Sequence, residues 1–271
     1  MGKSSITAHM IVKNEDRFVW YAIASVLPYV ERFIIFDTGS TDHTVPMIKL
    51  FHDKKIIFQA VGKADADYIV SLRGKQIEMT KTDWIWVVDG DEIYPQKTAQ
   101  KITRLAKKRS LYGIIVHRYD LLGDIYHCQN EKVGSYNQFG KLGHYVLRLI
   151  NKRAFGELQV LGKYPDEYFT DGGGKSIKTY GKDKFAFVEE RIFHAMYLRR
   201  SSLGGNLRKM LNRNKQKIEL GKKIDDKELP EVFFRERPEI VPSVTEKVSF
   251  GYQLSATMVT PVKRIKRILL R

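Results

Sequence analysis

The chain is poor in cysteine. Cys128 is the single one in 271 residues, which excludes an intrachain disulfide and fits a reducing compartment. It also lacks an apolar run long enough to cross a bilayer. The longest uncharged, mostly apolar stretch, Phe18 to Val30, falls short of the roughly 20 residues a membrane helix needs and contains Pro28. The start, Met1 to Ile6, leads straight into strand-like sequence without a secretory pattern. These lacks point to a cytoplasmic protein, soluble or peripheral at the inner face of a membrane. Internal repeats and low-complexity tracts are absent too, so solenoids and disordered linkers are excluded.

What is present is apolar, aromatic and basic. Hydrophobic content of 43% with 11% aromatics is that of a folded globular chain long enough to bury a sizeable core. Lysine and arginine number 47 against 31 acids, a formal charge of +16. Ten of those sixteen charges lie after residue 198, where 18 basic residues face 8 acidic ones. A basic region implies an anionic partner: nucleic acid, an acidic lipid surface or a phosphorylated substrate. Nucleic acid ranks low, because aromatic residues are not interleaved with the basic ones there. The chain reads as one domain over residues 1–198 and a basic helical extension over 199–271.

Ser5 to Lys13 alternates Ile6, Ala8, Met10 and Val12 as a first strand. Asn14 is placed as the N-cap of a helix carrying Phe18, Ala22 and Val26. Phe33 to Phe36, Lys55 to Gln59 and Trp84 to Val88 read as further buried strands, with helices starting near Thr44 and at Asp65 or Asp67. This alternation predicts an α/β fold, a doubly wound, mostly parallel sheet with helices on both faces. Pro95 opens another helix. Tyr112 to Tyr119, His144 to Ile150 and a short Ile192-Phe193-His194 read as later strands, and Asp171 to Gly174 as a turn. Ser201 or Ser202 caps a basic helix through Leu207, Met210 or Leu211, and Ile218. A last amphipathic helix is predicted to start at Thr260-Pro261. It has Val262, Ile265, Ile268 and Leu269 on one face and basic residues around them, suited to an anionic membrane surface.

The chemistry gathers at Trp84-Ile85-Trp86-Val87-Val88-Asp89-Gly90-Asp91-Glu92. A buried strand that stops in carboxylates delivers them to the edge where open α/β sheets bind ligands. Gly90 allows a tight turn, so that Asp89 and Asp91 face one cavity. Lys13-Asn14-Glu15 and Asp37 to Asp42 leave earlier strands at the same edge. So many acids would repel a diphosphate unless a divalent cation intervened, and hard oxygen ligands suit Mg²⁺ or Mn²⁺.

Met10-Ile11-Val12-Lys13-Asn14-Glu15, then Asp37-Thr38-Gly39-Ser40-Thr41-Asp42-His43-Thr44, then Asp89-Gly90-Asp91-Glu92 resemble the signature of family 2 glycosyltransferases with the GT-A fold. The resemblance is strong over Ser5 to Ile93 and extends weakly to about Arg200. It implies inverting transfer of a sugar from a nucleotide-diphosphate donor, by default a UDP-sugar, to an acceptor hydroxyl with Mn²⁺ or Mg²⁺. The acceptor would be a saccharide, a lipid-linked group or a protein, in cell-surface glycan or lipid-linked saccharide synthesis. By the same resemblance Asn14, Glu15 and Asp37 lie near the base and ribose, Asp89 holds the ribose or sugar, and Asp91 binds the metal. Arg73 contacts the donor, although Gly74 stands where such proteins usually have Asn. His194, after a late strand, is a further metal ligand. The base that deprotonates the acceptor falls in Tyr164-Pro165-Asp166-Glu167-Tyr168, with Glu167 first and Asp166 second. The alternatives are a basic nucleic-acid-binding protein and a non-catalytic nucleotide-sugar-binding protein.

Overall fold

The computed structural model describes residues 5–203 and 217–269. In chain order its elements begin with β1 (Ile6–Val12), α1 (Val19–Val26), β2 (Arg32–Asp37), α2 (Thr44–Lys49), β3 (Ile56–Ala60), α3 (Ala66–Met79) and β4 (Trp84–Val87). There follow β5 (Glu92–Ile93), α4 (Gln96–Leu105), β6 (Gly113–Leu122), β7 (Asp124–Cys128), β8 (Tyr136–Gln138), β9 (Lys141–Gly143) and β10 (Tyr145–Asn151). The last are β11 (Leu158–Leu161), β12 (Tyr168–Asp171), β13 (Phe185–His194), β14 (Lys222–Lys223) and α5 (Phe250–Leu269).

The first four strands are parallel in the order β3-β2-β1-β4, as the alternating pattern predicts. Parallel neighbours need long crossovers, and α1, α2 and α3 supply them. The registers Val12↔Asp37 and His9↔Val87 bring the carboxyl ends of β1, β2 and β4 to one edge. Beyond β4 the sheet becomes mixed. β10 runs antiparallel between β4 and β6, and β13 lies parallel to β6. The fold is therefore an α/β sheet, parallel through its first four strands and mixed beyond them.

Trp84 and Trp86 are fully buried in β4, and Trp86 meets Tyr94 edge-on at 5.0 Å. The chain after residue 217 also enters this core. Ile224, Val232 and Phe233 belong to the same apolar cluster as β1 and β4, with the Phe233 ring 5.6 Å from Tyr21 and 6.2 Å from Phe193.

Several local expectations need correction. Asn14 does not cap α1, which begins at Val19; with φ of 56° it bends the β1–α1 connection and accepts a hydrogen bond from the Thr41 amide. The late strand before His194 has ten residues, because Phe185 to Val188 also pair with β6. The described part of residues 217–249 contains only a two-residue strand and 3₁₀ turns, not a helix. The basic helix expected through Leu207, Met210 and Leu211 lies outside the described residues. The last helix starts at Phe250, with Pro261 inside it. An internal proline costs about 3 kcal/mol, offset here by docking of Tyr252, Ala256 and Thr260 on the body. Lys175-Ser176 follow the Asp171–Gly174 turn, yet the turn joins β12 to a 3₁₀ segment and not a strand to an α-helix, so it is no phosphate loop.

Candidate active site

The acid-tipped strand opens into a cavity of about 720 Å³ at the carboxyl edge of β1 and β4. Of the acids expected there, Glu15, Asp89, Asp91 and Glu167 line it, together with Arg73 and His194. Gly90 works differently from the expectation. Its φ is not left-handed; what forbids a side chain is close approach, since a Cβ would stand 2.9 Å from Val12 Cγ2 and 3.2 Å from Glu15 Cγ. The glycine lets β4 come close enough to β1 for Glu15 and Asp91 to share a cavity.

His194 reaches Asp91 through strand pairing. Directly after Asp91, β5 pairs antiparallel with the end of β13, in register His194↔Glu92, and the Ala195 amide donates to the Asp91 carbonyl at 2.9 Å. His194 Nε2 stands 3.5 Å from Asp91 Oδ2, and Nδ1 lies 2.9 Å from Asp120 Oδ1. A carboxylate on Nδ1 fixes that nitrogen as a donor and turns Nε2 toward Asp91, the orientation in which an imidazole can ligate a cation. Burial alone would raise the Asp120 carboxyl, but the hydrogen bond from His194 and the charge of Arg118 outweigh it and hold the pKa at about 2.

Among the described residues no three His, Cys, Asp or Glu side chains form a metal cage by themselves. Asp91 and His194 make a partial set, one oxygen and one nitrogen donor. That fits a divalent ion whose other ligands come from a diphosphate and water. Asp91 Oδ2 also accepts from Arg200 Nη1 at 3.1 Å, and the same nitrogen lies 2.9 Å from Glu15 Oε1. Burial pushes the Glu15 carboxyl well above the usual range, reinforced by the nearby Asp91 charge.

Arg148 holds the other acids. It donates to Asp89 Oδ2 at 2.7 Å and, from Nε, to Glu92 Oε1 at 3.1 Å. Burial opposes ionisation of Asp89, but Arg148 and Arg73 prevail and hold its pKa at about 2. Arg73, expected on the donor, donates to Glu167 Oε1 at 3.0 Å and lies 4.0 Å from Asp89. Glu167 Oε2 and Glu15 Oε2 are buried without a hydrogen-bond partner among the described residues. Tyr164, Tyr168 and Phe169 also line the cavity beside Glu167.

Three expected residues stand apart from the cavity wall. Asn14 braces the loop as described. Asp37 is buried, and its Oδ2 accepts from the amides of Gly39 and Ser40, shaping the β2–α2 loop whose Thr38 does line the cavity. Asp166 is exposed on the turn between β11 and β12, its amide bonded to the Lys163 carbonyl. Arg148, Arg200 and Asp120 were not foreseen. A lone charge inside Tyr145-Val146-Leu147-Arg148-Leu149-Ile150 is a usable sequence signal for Arg148; Arg200 and Asp120 carry none.

The sequence profile described as "Glycosyl transferase family 2" matches residues 7–168. Among curated proteins, the SPbeta prophage-derived glycosyltransferase SunS of Bacillus subtilis (strain 168) is 32% identical over 111 residues, 41% of this chain and 25% of that protein. An uncharacterized glycosyltransferase of Rickettsia felis is 27% identical over 148 residues, 55% of this chain and 48% of that protein. This chain thus spans at most about half the length of these curated relatives. Among solved structures, glucosyl-3-phosphoglycerate synthase from Mycobacterium tuberculosis, in complex with Mn²⁺, uridine-diphosphate and glucosyl-3-phosphoglycerate, superposes loosely. The TM-score is 0.47 at 15% identity, over 79% of this chain and 77% of that one. The family profile covers more than half of the chain and ends at Tyr168, beside the Glu167 that lines the cavity, and the chain belongs to glycosyl transferase family 2.

Proposed function

We propose that this protein is an inverting, divalent-cation-assisted glycosyltransferase that moves a sugar from a nucleotide-diphosphate donor, by default a UDP-sugar, to an acceptor hydroxyl. The observation that carries this reading is the gathering of Asp89, Asp91 and His194 at the carboxyl edge of the parallel strands, with Glu167 lining the same cavity. Asp91 and His194 would hold Mn²⁺ or Mg²⁺, which when bound neutralises charge growing on the leaving diphosphate. Arg148 keeps Asp89 ionised as an acceptor for ribose or sugar hydroxyls. Lys13 and Glu15 on the turn after β1 and Thr38 after β2 line this edge and could meet the nucleoside.

Glu167 is the base in this scheme. Arg73 orients one of its oxygens and leaves the other for the acceptor proton. Tyr164, Tyr168 and Phe169 line the cavity beside it, and the Glu167 side chain, only 10% exposed and bound by Arg73, is a fixed carboxylate suited to proton transfer. Asp166, exposed and outside the cavity, is the weaker choice. The acceptor is a saccharide, lipid-linked or protein hydroxyl. The free, buried Cys128 is consistent with work in the cytoplasm.

Thermal melting in the presence of UDP, GDP, TDP or CDP, with and without Mn²⁺, tests donor and cation together. One nucleotide should raise the melting temperature only when Mn²⁺ is present, because a ligand that binds the native state stabilises it by mass action. Asp91→Asn should abolish that Mn²⁺-dependent shift. Absence of any nucleotide shift in the native protein, or an undiminished one in Asp91→Asn, would overturn the assignment.

A further inference from the structure

Helix α5 is amphipathic in the reverse sense to a core helix. Tyr252, Ala256, Thr260, Lys263 and Arg267 recur at helical spacing on the face that meets the body. Tyr252 Oη donates to the Lys217 and Glu219 carbonyls at 3.0 and 3.1 Å, and the Leu220 amide donates to Thr260 Oγ1 at 2.8 Å. Lys263 and Arg267 both pair with Glu219, at 3.5 and 2.6 Å. The face toward the protein is thus small, polar and basic.

The opposite face is apolar and open. Phe250, Leu254, Met258, Val262, Ile265, Ile268 and Leu269 are all exposed, Leu254 least at 49% and Phe250 most at 80%. At about 100° per residue they fill an arc of roughly 120° along a rod about 30 Å long. Arg264 and Lys266 stand on the two margins of that stripe with no ion-pair partner among the described residues, and the helix has no acidic residue. Beside its last turn lies a recess of about 290 Å³ whose walls include Lys132, Arg264 and the paired Arg267 and Glu219.

We propose that α5 binds an anionic lipid bilayer, lying flat with the apolar stripe at the level of the headgroup–acyl boundary. The flanking cations Arg264 and Lys266 would meet lipid phosphates. An apolar stripe margined by cations is complementary to acidic lipid, whereas a second copy would bring the same positive margins against each other. No described helix is long and apolar enough to cross the membrane, so this is attachment at the surface. Because Glu219 and Thr260 clamp the helix to the body, the protein would be held in one orientation. This attachment does not depend on the chemistry of the cleft.

The test is co-sedimentation of the full chain with vesicles of phosphatidylcholine containing phosphatidylglycerol, against phosphatidylcholine alone. The protein should sediment with the anionic vesicles only. Met258→Glu with Ile265→Glu should lose sedimentation at an unchanged melting temperature. Arg264→Glu with Lys266→Glu should weaken it by roughly 30-fold or more, since each cation at an anionic surface is worth on the order of 1 kcal/mol. Failure of the native chain to sediment, or undiminished sedimentation of both variants, overturns the proposal. So does a dimer in sedimentation velocity that Ile265→Glu splits, since the stripe would then be covered by a second copy.

Discussion

A single carboxylate's surroundings decide what it can do. Glu167 and Asp166 are neighbours in sequence, but Glu167 turns into the cavity and is held by Arg73, while Asp166 faces solvent. Glu167→Gln should lower transfer by about 100-fold or more with nucleotide-induced stabilisation kept, as loss of a general base does; near-normal transfer between pH 6 and 9 would exclude it. His9 illustrates a different case. It is buried in β1, and Nε2 meets Thr80 Oγ1 at 2.6 Å; that hydroxyl already donates to the Gln76 carbonyl, so His9 is the donor. Burial, then the charges of Arg73 and Lys152, lower its pKa from 6.5 to about 3. Between these values the unfolded chain takes up the proton and the folded one does not, so stability falls with acid by about 1.4 kcal/mol per pH unit below 6.5. Urea titrations of His9→Gln from pH 7 to 5 should show a flatter decline than the native protein; an equally steep one would place the acid sensitivity elsewhere.

At the scale of elements, strand ends make the site and strand pairing completes it. Asp89 and Asp91 stand on the turn between β4 and β5, Glu15 on the turn after β1, and His194 arrives only because β5 and β13 pair. The spacing of β1 and β4 at Gly90 is the sensitive point. Gly90→Ala would put a Cβ 2.9 Å from Val12 and push on Glu15. Overpacking of this kind costs about 1–3 kcal/mol. The variant should melt lower and lose most of its Mn²⁺-dependent nucleotide stabilisation; an unchanged nucleotide response would mean that the β1–β4 approach does not shape the donor site. The parallel strands and crossover helices were legible because their apolar runs and turn residues are local signals. The β5–β13 pairing was not, since it joins residues about a hundred positions apart and two-residue strands carry no pattern.

Over the whole molecule, the basic C-terminal chain is tied to the α/β body from within. Phe233 is buried against Tyr21 of α1 and Phe193 of β13, and Ile224 and Val232 share that core. Phe233→Ala should therefore cost about 3–5 kcal/mol by leaving a cavity, lowering a single cooperative urea transition. Two separate transitions, with only the minor one affected, would instead mark residues after 199 as an independent unit. The same tethering explains why α5 can turn its polar face inward: Glu219 and the Tyr252 contacts hold it to a body that is already folded.

The four parallel strands, their crossovers and the family can be read from the chain alone, because hydrophobic period, caps and acid-tipped strand ends are written within short windows. Through the family resemblance the sequence also grouped Asn14, Glu15, Asp37, Arg73, Asp89, Asp91, Asp166, Glu167 and His194, of which Glu15, Arg73, Asp89, Asp91, Glu167 and His194 line the cavity. Tertiary structure alone decided their partners. Arg148, Arg200 and Asp120 come from distant segments, and only chain folding shows which guanidinium neutralises which acid. It also decided which face of α5 is buried. A helix's period reveals two faces, but the partner surface, here Glu219 and Leu220, chooses between them, and it chose the polar one.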